Sequence, residues 1–158
     1  MRPYARQALR NLAKHFEIVI FTASHPSYSD RVIDLLDPRG DIISYRLFRD
    51  SCIETKEKVL IKDLRIIRNR ELKDLIIVDN SLYCYGYQIN HGVPILPYYG
   101  NENDEELLEL NNFLVGLGKE DIDVEGSIKD YFATELFKEH SMNQYDLITK
   151  LVELHGVN

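Results

Sequence analysis

Asp74-Leu75-Ile76-Ile77-Val78-Asp79-Asn80-Ser81 is the stretch that decides the fold. Four apolar residues run together and stop at an acid, an amide and a hydroxyl. A short unbroken apolar run of this kind reads as a strand buried on both faces, as in a parallel sheet. Open α/β sheets bind their ligands at the carboxyl ends of such strands, and Asp79 and Asn80 fall at that end. Their oxygens suit a hard cation such as Mg²⁺. The competing reading is that the two residues only turn the chain or cap the next segment.

A second stretch has the same form. Phe16-Glu17-Ile18-Val19-Ile20-Phe21 runs into Thr22-Ala23-Ser24. The hydroxyls of Thr22 and Ser24, with the backbone N–H groups that follow, suit a phosphate where the next helix begins. The alternative is that Thr22 or Ser24 serves only as an N-cap.

Composition sets the bounds. A length of 158 residues suits one domain, 44% apolar residues supply a sizeable core, and 28% charged residues suit a soluble chain. A net charge of −7 disfavours nonspecific binding to nucleic acid or to an anionic membrane. No apolar run reaches the length of a membrane span, and no basic start precedes an apolar core. Cys52 and Cys84 form no close-spaced metal motif, and they read as reduced thiols of an intracellular protein.

Along the chain, residues 3–15 predict a helix with Pro3 in its first turn, and 17–21 a strand. Ser27–Leu36 predicts a helix with Tyr28, Val32, Leu35 and Leu36 on one apolar face. Residues 37–40 predict a turn, 42–48 a strand, 53–61 a short hairpin, and Lys62-Asp63-Leu64 the start of a short helical segment. After the strand at 75–78 comes an irregular aromatic stretch, Tyr83 to Gln88. Val93–Pro97 predicts an extended segment at a sheet edge, where proline is tolerated. Asp104 predicts the cap of a helix to about Leu117. Two amphipathic helices are expected over 126–155, with Ile128, Tyr131, Phe132, Leu136 and Phe137 in the first, Leu147, Ile148, Leu151 and Leu154 in the second, and a break near 141–143. Alternating helices and buried strands predict a three-layer α/β fold.

Arg2-Pro3, Phe21-Thr22-Ala23-Ser24, Leu35-Leu36-Asp37, Arg46-Leu47-Phe48-Arg49-Asp50-Ser51-Cys52, Lys62-Asp63-Leu64, Asp79-Asn80-Ser81 and Val93-Pro94-Ile95 occur in one order and spacing. Together they resemble the C-terminal-domain phosphatases of RNA polymerase II, within the haloacid dehalogenase superfamily. The resemblance covers residues 2–118 and implies a parallel Rossmann-like sheet for residues 1–118, with 119–158 as a helical extension. It also implies Mg²⁺-dependent dephosphorylation of serine or threonine in a phosphoprotein, in the nucleus or cytoplasm, with no nucleic acid or membrane as direct partner.

The resemblance assigns roles residue by residue. Thr22 matches the threonine that hydrogen-bonds the transferred phosphoryl group, and Ser24 and Arg49 match the substrate side. Lys62 matches the lysine that neutralises charge between nucleophile and phosphate. Asn80 matches a metal ligand, and Asp79 its acidic neighbour beside the metal. The plain alternatives are a surface lysine at 62, an Arg49–Asp50 pair, and core packing for Cys52.

One departure outweighs the others. The family's nucleophile lies in an Asp-x-Asp-x-Thr motif after its first, central strand, and no such run occurs in these 158 residues. Asp121-Ile122-Asp123-Val124-Glu125 comes nearest but follows no apolar strand. Aspartyl phosphoryl transfer needs both carboxylates. The expectation is therefore an inactive chain as it stands, whose first strand is absent, with Asp63 the first substitute carboxylate to consider. The alternatives are a non-catalytic, partner-binding member of the same fold, similar to a translocase subunit, and an acidic α/β phosphate-binding or signalling module. Leu82, where proline is usual, and His91, where asparagine is usual, put the shape of the local loop in doubt.

Overall fold

The computed structural model of the chain describes residues 1–119 and 122–139, with 132–139 described as backbone. They divide into two compact units, Met1–Cys52 with Leu96–Ile122, and Ile53–Ile95 with the chain from Asp123.

The first unit holds helix α1 (Ala5–Leu12), strand β1 (Ile18–Phe21), helix α2 (Pro26–Leu36), strand β2 (Ile43–Leu47) and helix α3 (Glu106–Leu117). β1 and β2 pair in parallel, with Ile18 opposite Ile43 and Phe21 opposite Leu47. Parallel neighbours need a crossover, and α2 supplies it. α1 packs against α3, and Ala8, Leu12, Leu110, Leu114 and Leu117 are buried. α1 is shorter than expected because Tyr4 sits at φ 62°, which leaves Pro3 outside the helix.

Asp37 closes α2 and organises the turn into β2. Its carboxylate accepts hydrogen bonds from the backbone N–H groups of Asp41 (3.2 Å), Ile42 (3.0 Å) and Ile43 (2.9 Å). Burial opposes ionisation of Asp37, but these three donors outweigh it and hold the carboxyl below its ordinary range. Asp104, expected as the cap of α3, grips Arg2 at 2.7 and 2.9 Å, and Glu105 takes the N-cap position. The Arg2 guanidinium also donates to the Leu96 carbonyl at 2.6 Å and lies over the Tyr98 ring.

The outward face of α2 corrects the sequence expectation. Tyr28, Val32 and Leu35 are exposed, and the buried residues are Ser29 and Ile33. Apolar spacing marks a face but not its direction. Arg46 of β2 fixes that direction by donating to Asp30 (2.7 Å) and Asp34 (2.8 Å).

The second unit holds the antiparallel pair β3 (Ile53–Glu54) and β4 (Leu60–Ile61), and the parallel pair β5 (Ile77–Asp79) and β6 (Gly92–Pro94). A kinked run of 3-10 turns over Leu82–His91 joins β5 to β6. Helix α4 (Val124–Glu139) packs against β6 and this run, with Ile128 buried. The second expected tail helix lies outside the described residues. β5 starts later than its apolar run suggests, and Val78 is 37% exposed, so the strand is not buried on both faces. Pro94 lies opposite Asp79, and the Ile95 N–H reaches the Asp79 carbonyl at 3.3 Å. Parallel pairing is thus present in both units as two-stranded pairs. No helix among the described residues is long and apolar enough to cross a membrane.

Leu64, Ile77, Leu82 and Tyr85 form the core of this unit. The Tyr85 ring lies flat against Gly92, where a Cβ would meet ring carbons at 2.0 Å. Tyr85 has no exposed surface and therefore no room to yield.

Two outcomes are expected. Gly92→Ala should cost about 1–3 kcal/mol of stability, the usual cost of overpacking, measured by urea unfolding. Asp37 and Asp104 both have folded pKa values below their unfolded ones. Their contributions are complete above the unfolded value of about 4 and are lost as pH falls below it. An unfolding series from about pH 6 down to about pH 3 should therefore fall less steeply for Asp37→Asn than for the native chain.

Candidate functional site

The Thr22 loop belongs to the first unit. The Thr22 N–H donates to the Leu47 carbonyl at 2.9 Å, which extends the β1–β2 ladder by one residue. Thr22 Oγ1 accepts from the Ser24 N–H at 3.1 Å, closing a tight turn at the strand end. The Ser24 carbonyl in turn accepts from the Arg49 N–H at 3.2 Å. Thr22, Ser24 and Arg49 are therefore brought together by backbone bonds, with the Arg49 side chain exposed. Cys52 Sγ lies 4.0 Å from the Thr22 carbonyl, half-buried as expected of a packing thiol. Neither Thr22 nor Ser24 caps α2. That position belongs to His25, whose Nδ1 accepts from the Ser27 N–H at 3.3 Å.

The second unit carries Lys62, Asp79 and Asn80. Lys62 follows β4, and its N–H donates to the Cys84 carbonyl at 2.6 Å. Its ammonium pairs with Asp79 Oδ2, and each side chain is only 9% exposed. Asp79 Oδ1 accepts from the Ser81 N–H at 2.8 Å. Lys62 is thus a buried partner of Asp79 and not a surface lysine. Asn80 is exposed beside the pair. A desolvated carboxylate with one oxygen on an ammonium and the other on a backbone N–H is held in a single orientation.

Asp63 is not free to act in place of a missing carboxylate. Arg65 grips it at 2.6–3.0 Å and Gln88 donates to it at 3.0 Å. The Arg65 bonds, opposed by burial, hold its carboxyl below the ordinary range. In the nearest Asp-x-Asp run, Asp121 lies outside the described residues, and Asp123 Oδ1 accepts from the Gly126 N–H at 3.0 Å at the start of α4.

Sequence reasoning missed the groups that support the pair. Burial pushes the Cys84 thiol up, the Asp79 charge adds to this, and Lys62 offsets part of it. Burial, reinforced by Asp79 and Cys84, pushes the Tyr85 phenol far above its ordinary value. Both are therefore neutral groups against the ion pair at neutral pH. The only signal in the sequence was the aromatic density of residues 83–88. Among the described residues, no group of three or more His, Cys, Asp or Glu side chains is placed to hold a metal ion. Asp79 and Asn80 offer a carboxylate and an amide oxygen at this strand end.

Comparison with known proteins identifies the family. A family model described as "NLI interacting factor-like phosphatase" matches residues 1–125. CTD small phosphatase-like protein 2 of Dictyostelium discoideum is 40% identical over 131 residues, covering 83% of this chain and 22% of that protein. The CTD small phosphatase-like protein of Homo sapiens is 41% identical over 120 residues, covering 76% of this chain and 42% of that protein. The chain thus spans less than half the length of these curated relatives. The solved structure of Fcp1, an essential RNA polymerase II CTD phosphatase, superposes with a TM-score of 0.55 at 20% identity, over 84% of this chain and 37% of that one. That likeness establishes an α/β fold of the haloacid dehalogenase kind. The chain belongs to the NLI interacting factor-like phosphatase family.

Proposed function

We propose that these residues supply the phosphate-gripping and metal-side groups of a Mg²⁺-dependent phosphoprotein serine/threonine phosphatase. The substrate class is a phosphorylated segment such as the RNA polymerase II C-terminal domain, and the setting is the nucleus or cytoplasm. The observation that carries this reading is the buried Lys62–Asp79 pair at the end of β5, with Asn80 exposed beside it.

Each group has a chemical task in this reading. Lys62 is a fixed cation, held from the backbone side by its bond to Cys84, and it offsets charge that builds up on a transferring phosphoryl group. Thr22 presents a hydroxyl from a closed turn and donates to a phosphoryl oxygen. Arg49 and Ser24 steady the substrate side, where a guanidinium suits phosphate in a two-pronged grip. Asn80 and Asp79 fit a Mg²⁺ ion, which takes one or two carboxylate or carbonyl oxygens and completes its shell with water and substrate phosphate. When bound, the ion neutralises phosphoryl oxygen charge. The attacking carboxylate and the acid for the leaving group are not among these 158 residues, because no Asp-x-Asp-x-Thr run occurs in them.

The test has two arms. These 158 residues with Mg²⁺ should not hydrolyse p-nitrophenyl phosphate above background. A fusion that places the Asp-x-Asp-x-Thr strand of an active relative ahead of Arg2, checked for folding by circular dichroism, should turn the substrate over. In that fusion Lys62→Ala should lower kcat by roughly a hundredfold or more. Thr22→Ala should cost about 1–3 kcal/mol of transition-state stabilisation, as for a lost hydrogen bond to a charged group. A folded fusion that never turns over substrate would point to the non-catalytic, partner-binding member.

A further inference from the structure

We propose that His25 is a pH-sensitive cap that holds the Ser27 N–H at the start of α2 when its imidazole is neutral and releases that N–H when protonated. Helix N-caps are ordinarily Ser, Thr, Asp or Asn, whose oxygens accept a backbone N–H across the whole neutral range. Here a ring nitrogen takes that role. His25 Nδ1 accepts from the Ser27 N–H at 3.3 Å and lies 2.9 Å from Ser27 Oγ. An imidazole nitrogen accepts only while it is unprotonated, and histidine changes charge between about pH 5 and pH 8. Once Nδ1 carries a proton it can still donate to Ser27 Oγ, but the Ser27 N–H loses its acceptor. A positive ring at a helix N-terminus also opposes the helix dipole.

Pro26, at the first helical position, has no N–H to offer. The Tyr28 and Ser29 N–H groups bond the His25 carbonyl at 3.1 Å, so the imidazole holds only the Ser27 donor. His25 is exposed and open to solvent protons. The Arg49 N–H bonds the Ser24 carbonyl next to the turn, and Asp30 and Arg31 follow in sequence along α2. Asp30 is occupied by Arg46, and both partners of Nδ1 are on Ser27. The device sits directly after the Thr22–Ser24 loop and does not depend on the phosphatase reading.

The test is amide exchange on the ¹⁵N-labelled chain at about pH 7.5 and about pH 5.5, corrected for the intrinsic exchange rate. The protection of the Ser27 amide should fall about fivefold at the lower pH, the loss of one typical cap, while amides of α3 keep theirs. His25→Asn, a cap that does not titrate, should remove the difference between the two pH values. Equal loss in the native chain and His25→Asn, or no loss in either, would overturn the proposal. If that variant does not fold, the Ser27 amide shift of the native chain decides. It should move with the same midpoint as the His25 ring signals, and a Ser27 shift that stays flat through the ring's titration would overturn the proposal.

Discussion

The arrangement rests on a buried charge pair, Lys62 with Asp79. A buried ion pair is weak evidence for stability in itself, since desolvation offsets most of the attraction. Removing one partner is different: it leaves an unpaired charge out of water, at a cost of about 3–5 kcal/mol. The second unit is built so that neither partner can leave. The Lys62 backbone is tied to Cys84, and Asp79 is held by the β5–β6 ladder and by the Ser81 N–H. Tyr85 closes the floor, its ring pressed on Gly92 in the strand that pairs with β5. Packing in this unit therefore converts into fixed charge at a strand end. Fixed charge costs no reorganisation when a phosphate arrives, which is the physical basis of electrostatic catalysis.

The first unit solves a different problem with backbone bonds. Thr22 extends the ladder and turns on its own hydroxyl, and the Ser24–Arg49 bond ties that turn to the segment after β2. Asp37, at the end of α2, and Asp104, before α3, do structural work in the same unit, each drawing several donors onto one carboxylate. An acidic chain can spend carboxylates in this way because each is matched to donors that keep it ionised. The same accounting separates the acids with structural roles, Asp37, Asp63, Asp104 and Asp123, from Asp79, which faces an ammonium at a strand end.

Much of this was legible in the sequence, and the reasons differ by element. β1 and β5 could be located because apolar β-branched runs end abruptly in polar residues, although β5 begins two residues late and exposes Val78. The hairpin at 53–61 and the edge placement of Pro94 follow from similarly local chemistry. The direction of the α2 face was not legible, because Tyr28, Val32 and Leu35 have the spacing of a core stripe, yet Ser29 and Ile33 are the residues that turn inward. The cap of α2 was missed because histidine is outside the usual capping set. Asp63 looked available because its cap to Arg65 was not read from the sequence, and Gln88 becomes a partner only when the 3-10 run over 82–91 folds back. The Lys62–Asp79 contact spans seventeen positions, and no local rule places those two atoms together. The family resemblance assigned a separate role to each residue and did not pair them; their contact is a finding of the structure.

The central claim is that the end of β5 is a poised cation and phosphate site. The most direct measurement is a Mg²⁺ titration of the ¹⁵N-labelled chain into the millimolar range, followed by amide shifts. The account predicts saturable shifts at Asp79, Asn80 and Ser81, absent in Asp79→Asn, with the amides of α1 and α3 unmoved. An unchanged spectrum at these three residues, or shifts confined to other acidic clusters, would contradict it.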